Sequence, residues 1–253
     1  MWIDYTTPGQ LPQLKELWHT AFGDSREAID GFFATGYAPE RSRCITENGQ
    51  VLCVLYWLDC WYAGQKMAYI YAVATHPDHR GKGLFRKLSQ DTHRLLTEQG
   101  YAAELLMPGD EGLRKMYARL GYRTSCFMAT REATAAIPPP AAMKPLQTAA
   151  YAALRRAYLP SGGAIQDGEN LTYLATFARF YAGEDFLLAA LREGDSLFGV
   201  ELLGNTDAIP GILWSLGCKN GTFRTPGKEI PTAMSRPLKE NVKMPEYLGF
   251  LFD

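Results

Sequence analysis

The chain has 253 residues, long enough for one or two domains with their own cores, and 47% of it is hydrophobic. With 26 Lys and Arg against 27 Asp and Glu the net charge is −1 and no basic cluster stands out, which excludes a broad nucleic-acid-binding face. No apolar stretch approaches the ~20 residues that cross a bilayer, and Met1-Trp-Ile-Asp4 reads as a strand start, not a basic leader; neither nucleic acid nor membrane is an expected partner, and the expected location is cytoplasmic.

Pro12 marks a helix start, with Leu11, Leu14, Trp18, Ala21 and Phe22 as its buried face and Gly23 as its stop. Ser25 can cap a second helix carrying Ile29, Phe32 and Phe33. Arg43 to Glu47 and Val51 to Tyr62 read as strands joined at Asn48-Gly49, a pair that tolerates the positive φ of a two-residue hairpin turn. Val51 to Leu58 is almost uninterrupted apolar, which suits a central strand covered on both faces.

The short β-forming run Met67 to Thr75 is a buried strand ended by Pro77. Leu84, Leu88, Thr92, Leu95 and Leu96 then recur at helical spacing until Gly100. A helix therefore starts within or just after Arg80-Gly-Lys-Gly83. Gly81 and Gly83 let the backbone turn and approach a ligand, while the first helical N–H groups remain unpaired, so the spot favours an anion such as a pyrophosphate. A tight turn that packs a helix onto a sheet would carry the same glycine pair. The order of residues fits neither a Walker loop nor a dinucleotide fingerprint.

Tyr101 to Met107 reads as a strand, Pro108-Gly-Asp110 as a turn, and Leu113, Met116, Tyr117 and Leu120 as the stripe of a short helix ended by Gly121. Tyr122 to Thr130 reads as another strand. Arg80-x-x-Gly83 after a strand and opening a helix resembles the pyrophosphate loop of the GNAT family of acyl-coenzyme A dependent N-acyltransferases, which usually reads Arg/Gln-x-x-Gly-x-Gly/Ala. Phe85 stands at the last position, a form similar to the enhanced-intracellular-survival branch. Tyr117-Ala-Arg-Leu-Gly-Tyr122 resembles the family's Tyr-x-x-x-Gly-Phe/Tyr segment, and the order of elements from Met1 to about Glu132 is similar to the family's.

The resemblance implies an α+β fold with a central mixed, twisted sheet flanked by helices, and acetyl-CoA as acyl donor with no metal. It implies transfer to a primary amine of a small molecule or peptide by direct attack. Backbone groups of Val73, Ala74 and Thr75 would hold the pantetheine arm, and Arg80, Gly81, Lys82, Gly83, Leu84 and Phe85 the pyrophosphate. Tyr117 matches the general acid, although it shares its stripe with core residues. The strand Met67 to Thr75 carries no carboxylate, so the base is left to a water ordered by Tyr69 and Tyr71, or to the terminal carboxylate of Asp253 after a Tyr247 to Phe252 strand. A catalytically silent coenzyme A binding or regulatory module is the alternative, and a purely structural protein the third reading.

Residues 133–145 contain three consecutive prolines and are read as a linker between a 1–132 catalytic domain and a 146–253 domain. The latter shows helices at Leu146 to Tyr158, Leu171 to Tyr181 and Ala208 to Leu216, and strands at Phe186 to Arg192 and Ser196 to Leu203. Phe223-Arg-Thr-Pro-Gly227 echoes Leu105-Leu-Met-Pro-Gly109, which suggests a smaller, degenerate GNAT-like half. Gly204-Asn-Thr-Asp-Ala208 stands where the first half has Arg80 to Gly83, and its acidic residue argues against phosphate. Five cysteines without Cys-x-x-Cys spacing read as free buried thiols, and His19, His76, His79 and His93 as polar residues rather than metal ligands. The sequence leaves monomer or dimer open.

Overall fold

The computed structural model describes residues 1–135 and 140–252. Strand β1 (Trp2–Asp4) leads to α1 (Leu11–Phe22), which has proline in its first turn and stops at Gly23 in the left-handed region. Helix α2 (Arg26–Thr35) begins where Ser25 accepts a hydrogen bond from the Ala28 N–H at 3.1 Å. Strands β2 (Ser42–Glu47) and β3 (Gln50–Tyr62) flank Asn48 and Gly49, whose φ angles of 50° and 79° are those of the expected hairpin. There follow β4 (Gln65–Thr75), α3 (Leu84–Glu98), β5 (Ala103–Leu106) and α4 (Glu111–Arg119), the last capped by Asp110.

The expected strand Tyr122 to Thr130 divides into β6 (Arg123–Thr124) and β7 (Phe127–Thr134), which belong to different sheets. Between them the N–H groups of Ser125 and Cys126 both donate to the Ala233 carbonyl at 3.1 Å, so the chain leaves one ladder before it enters the next. Residues 136–139 of the expected 133–145 linker lie outside the described residues; β7 runs into its start, and β8 (Met143–Leu146) takes up its last three residues. Helix α5 (Thr148–Tyr158) and α6 (Glu169–Phe177) come next. The second helix ends before the expected Tyr181, because Ala178, Phe180 and Ala182 are buried in alternation and residues 179–183 form strand β9 (Arg179–Gly183). Strands β10 (Phe186–Glu193) and β11 (Ser196–Gly204), helix α7 (Ile209–Ser215), and strands β12 (Asn220–Pro231) and β13 (Met234–Pro237) complete the order. The expected Tyr247 to Phe252 strand does not form. That apolar segment is buried with one bridge, Gly163 to Tyr247, and the side-chain amide of buried Gln166 takes a strand's place, donating to the Phe250 carbonyl at 2.7 Å and accepting from its N–H at 2.9 Å.

Two compact α+β units result, one of residues 1–123 and 234–243, the other of 124–233 and 244–253. The sequence places its boundary at 132, at the proline run, because reciprocal use of β7 and β13 has no local signature. The first sheet runs β1-β2-β3-β4-β5-β13-β6, and the second β7-β12-β11-β10-β9-β8. In each, the fourth and fifth strands of the repeat pair in parallel (β4 with β5, β11 with β12) and the next strand is antiparallel to the fifth (β13 to β5, β7 to β12). The two units thus repeat one strand topology, each sheet completed by a strand from a distant part of the chain.

In the first unit, β3 divides its side chains between two faces. Tyr56 meets Trp18 of α1 and Phe32 of α2 with ring centroids 5.8 and 5.4 Å apart, while Leu55 and Trp57 share a core with Leu84, Leu88 and Leu96 of α3. No helix among the described residues is long and apolar enough to cross a membrane. All five cysteines are free and buried. Burial pushes the thiols of Cys44 and Cys53 up to about 11 and that of Cys126 to about 12. At pH 8 about one in a thousand of these thiols or fewer is thiolate. Iodoacetamide is therefore expected to spare all three in the folded protein and to modify them in urea; peptide mapping that finds Cys53 alkylated in the folded chain would contradict this.

Candidate active site

The site begins with a defect in β4. Its register with β3 shifts between the Val54 and Tyr56 pairs, and Ala72 takes a φ of 46°, a left-handed conformation that a non-glycine residue holds only under tertiary constraint. The parallel pairing with β5 covers only Met67 to Ile70. Beyond that point the edge of β4 facing β5 has no ladder partner among the described residues, so Val73 and Ala74 lie on an open strand edge that runs to Thr75. The Thr75 side chain is tied to the Cys53 sulfur at 3.2 Å, and its carbonyl accepts from Arg80 Nε at 3.2 Å.

That second bond holds the loop to the strand end. Gly81 and Gly83 have φ angles of 76° and 74°, and a Cβ at either would meet nothing within 4 Å, so backbone conformation and not space asks for glycine. Gly83 is the N-terminal cap of α3, with no side chain satisfying the first turn and no acidic residue in it. Leu84 is buried and Phe85 half-buried, so their side chains anchor the helix in the core while their N–H groups stay at its open end.

A cleft of about 310 Å³ lies over this loop, lined by Thr75, Arg80, Gly81 and Gly83 on one side and by Met116 and Arg119 of α4 on the other. His79, Leu84, Phe85, Arg86 and Leu120 complete the lining, which includes no carboxylate. Arg86 and Arg119 make no hydrogen bond or ion pair among the described residues, unlike Arg43, which is paired with Asp91, or Arg94 with Asp91 at 3.0 Å. A concave surface with three guanidinium groups beside an uncapped helix start is suited to a polyanion such as a diphosphate. Sequence reading missed Arg86 and Arg119. A basic residue in the last turn of a helix, as Arg119 is, reads as a partner of the helix dipole, and only α4 packing beside the loop turns it toward the cleft.

Tyr117 lies behind the cleft lining, 7% exposed, with its ring edge-on to Phe85 at 5.7 Å and to Tyr122 at 5.8 Å. Its hydroxyl has no hydrogen-bond partner among the described residues. Burial, with a smaller contribution from Cys53, pushes its pKa up to about 12, so the phenol stays protonated through neutral pH. The structure thus brings together the strand end, Arg80, Gly81, Gly83, Leu84 and Phe85, and sets Tyr117 against Phe85. Lys82 is exposed outside the cleft lining. Tyr69 and Tyr71 stack at 6.3 Å on the face toward α1 and α2. Asp253 lies outside the described residues. Among those described, no group of three or more His, Cys, Asp or Glu could hold a metal ion.

A family profile described as an acetyltransferase (GNAT) domain matches residues 3–125. Among solved structures, a conserved protein of unknown function and probable N-acyltransferase from Enterococcus faecalis is similar over 94% of this chain and 72% of its own, with a TM-score of 0.71 and 15% identity. Eis1 from Mycobacterium abscessus matches over 94% and 74% with a TM-score of 0.70 and 11% identity. A putative acetyltransferase from Pyrococcus horikoshii matches over 99% and 94% with a TM-score of 0.64 and 13% identity. At these identities the likeness is one of fold. Comparison with curated proteins gave no match.

Proposed function

We propose, from the match of residues 3–125 to an acetyltransferase (GNAT) domain and the repeat of one strand topology in the second unit, that the chain is an acetyl-CoA-dependent N-acetyltransferase acting on a primary amine of a small molecule or peptide. The observation that carries the proposal is the carboxylate-free cleft of Arg80, Arg86 and Arg119 at the uncapped start of α3, continuous in sequence with an open strand edge. The donor's phosphates fit the loop and its arginines, and the amides of the pantetheine arm fit the backbone groups of Val73 and Ala74, which have no ladder partner on that side among the described residues.

Transfer by direct attack forms a C–N bond at the acetyl carbon and breaks its C–S bond. The thiolate that leaves takes the Tyr117 proton, and the proton lost by the amine returns to the phenolate through water. A pKa near 12 keeps Tyr117 as the acid this step needs. Since β4 holds no carboxylate between Met67 and Thr75, a water held by the Tyr69 and Tyr71 hydroxyls is the proposed carrier of the amine proton. The same lack favours the second reading, a coenzyme A binding module without turnover.

Calorimetric titration with acetyl-CoA tests the proposal. We expect one equivalent bound per chain, and affinity about 100-fold lower in the Arg80→Ala/Gly83→Ala variant, which loses a charge-assisted contact and strains a left-handed position by about 1 kcal/mol. No binding to the folded protein removes both readings; binding without thiol release in the presence of amines leaves the silent module.

A further inference from the structure

Glu104 on β5 is 1% exposed and plays no part in the mechanism above. Its Oε2 accepts a hydrogen bond from the Tyr122 hydroxyl at 2.9 Å, with His93 Nδ1 at 3.3 Å and Arg236 Nη1 at 4.0 Å. A carboxylate buried this deeply is costly unless its surroundings satisfy it, and here they do so through one oxygen. The group it holds most directly is Tyr122, which follows Gly121 at the end of α4 and is itself buried.

Tyr122 in turn faces Tyr117. Their rings meet at 67° with centroids 5.8 Å apart, and Phe85 closes the other contact at 89° and 5.7 Å. Because the Tyr117 hydroxyl has no partner among the described residues, the ring is oriented by packing, and of the two aromatic neighbours described, Tyr122 is the one pinned by a hydrogen bond. We propose that Glu104 is a positioning residue for Tyr117 that acts through Tyr122, an inference that rests on the transferase reading. The carboxylate fixes the Tyr122 ring, and that ring fixes the direction in which the Tyr117 hydroxyl points.

The test combines Tyr122→Phe, Glu104→Leu and Glu104→Gln with the Tyr117→Phe background. Tyr122→Phe keeps the ring and removes its anchor; we expect kcat to fall about tenfold with the KM for acetyl-CoA unchanged, since a small misplacement of a reacting group is enough for this. Glu104→Leu should fall at least as far, and Glu104→Gln, whose amide oxygen still accepts from Tyr122, should recover most of the loss. In the Tyr117→Phe background, Tyr122→Phe should change nothing further. A purely structural role predicts the same fold loss in both backgrounds, and that result overturns the proposal. A second readout is independent of turnover: the ring carbon resonance of Tyr117 in tyrosine-labelled protein, assigned by its loss in Tyr117→Phe, should move in Tyr122→Phe. If the native chain shows no turnover the transferase reading fails, and an unmoved resonance overturns the positioning separately.

Discussion

Tyr117→Phe is expected to lower the rate of thiol release by about 10²–10⁴-fold, the range in which a positioned general acid contributes. Acetyl-CoA affinity should be unchanged, because the residue lies behind the cleft lining and the substitution removes one oxygen. Stability should also be nearly unchanged. The hydroxyl has no partner among the described residues, so its removal orphans no donor or acceptor there. The pH dependence has a definite sign: in the proposed mechanism the protonated phenol is the active form, and its pKa is pushed up to about 12, so the native protein should lose no activity through this group between neutrality and pH 10. The same shift, from an ordinary value of 10.0, means that its contribution to stability is complete below pH 10 and is lost as pH rises toward 12. Equal thiol release by Tyr117→Phe and native protein would remove Tyr117 from the mechanism.

Glu201→Ala should destabilise the second unit by about 3–5 kcal/mol, the cost of leaving a buried charge without its partner. Glu201 is 0% exposed and Arg155 1%. The guanidinium donates to both carboxylate oxygens, Nε to Oε2 at 2.6 Å and Nη2 to Oε1 at 2.8 Å, and the hydroxyls of Tyr151 and Tyr247 add bonds of 3.0 and 3.1 Å. Arg155 also donates to the Ala164 carbonyl at 3.2 Å and stacks on the Phe250 ring at 4.2 Å. Alanine would strand the guanidinium and the two hydroxyls. Replacing both partners, as in Arg155→Met/Glu201→Leu, should recover most of the loss because no charge is left behind. Urea unfolding measures both, and a loss below about 1 kcal/mol for Glu201→Ala would show that the network is not needed.

The position of that network bears on function. Pairing of β11 with β12 stops at Gly199, as that of β4 with β5 stops at Ile70, so Glu201 stands where the first unit opens its strand edge. In the second unit the ion pair stands at that place, packed against Tyr247, Gly249 and Phe250. Its loop before α7 is closed on itself, with Asn205 donating to the Asp185 carboxylate at 2.8 Å and accepting from the Asp207 N–H at 2.9 Å. Filled and acidic, this half is expected to take no donor, which is why one equivalent of acetyl-CoA per chain is the expected stoichiometry.

Much of the first unit was legible because its signals are local. Ser25 at a cap, Asn48-Gly49 in a hairpin and Gly23 after a helix each impose a backbone conformation whatever surrounds them. Arg80 to Gly83 was legible for the same reason: two glycines between a strand and a helix leave amides exposed. Glu104 was invisible, since a glutamate in Ala-Glu-Leu-Leu reads as the exposed side of a strand until Tyr122, His93 and Arg236 are seen around it.

The sequence by itself determined most of the helices, the hairpin, the glycine loop that opens α3 and the faint repeat, because each depends on residues within a turn or two of one another and on side-chain periods of 3.6 or 2. Only the tertiary structure decided that β7 and β13 complete sheets far from their sequence neighbours, that Arg179 to Gly183 extends instead of coiling, and that the apolar C-terminal run is held by Gln166 and not by a strand. A strand's partner is chosen by which open edge can satisfy its backbone and bury its side chains, and no residue in the strand carries that information alone. The gathering of Arg80, Arg86 and Arg119 around one cleft is of the same kind: each is an ordinary surface arginine until packing places their charges together.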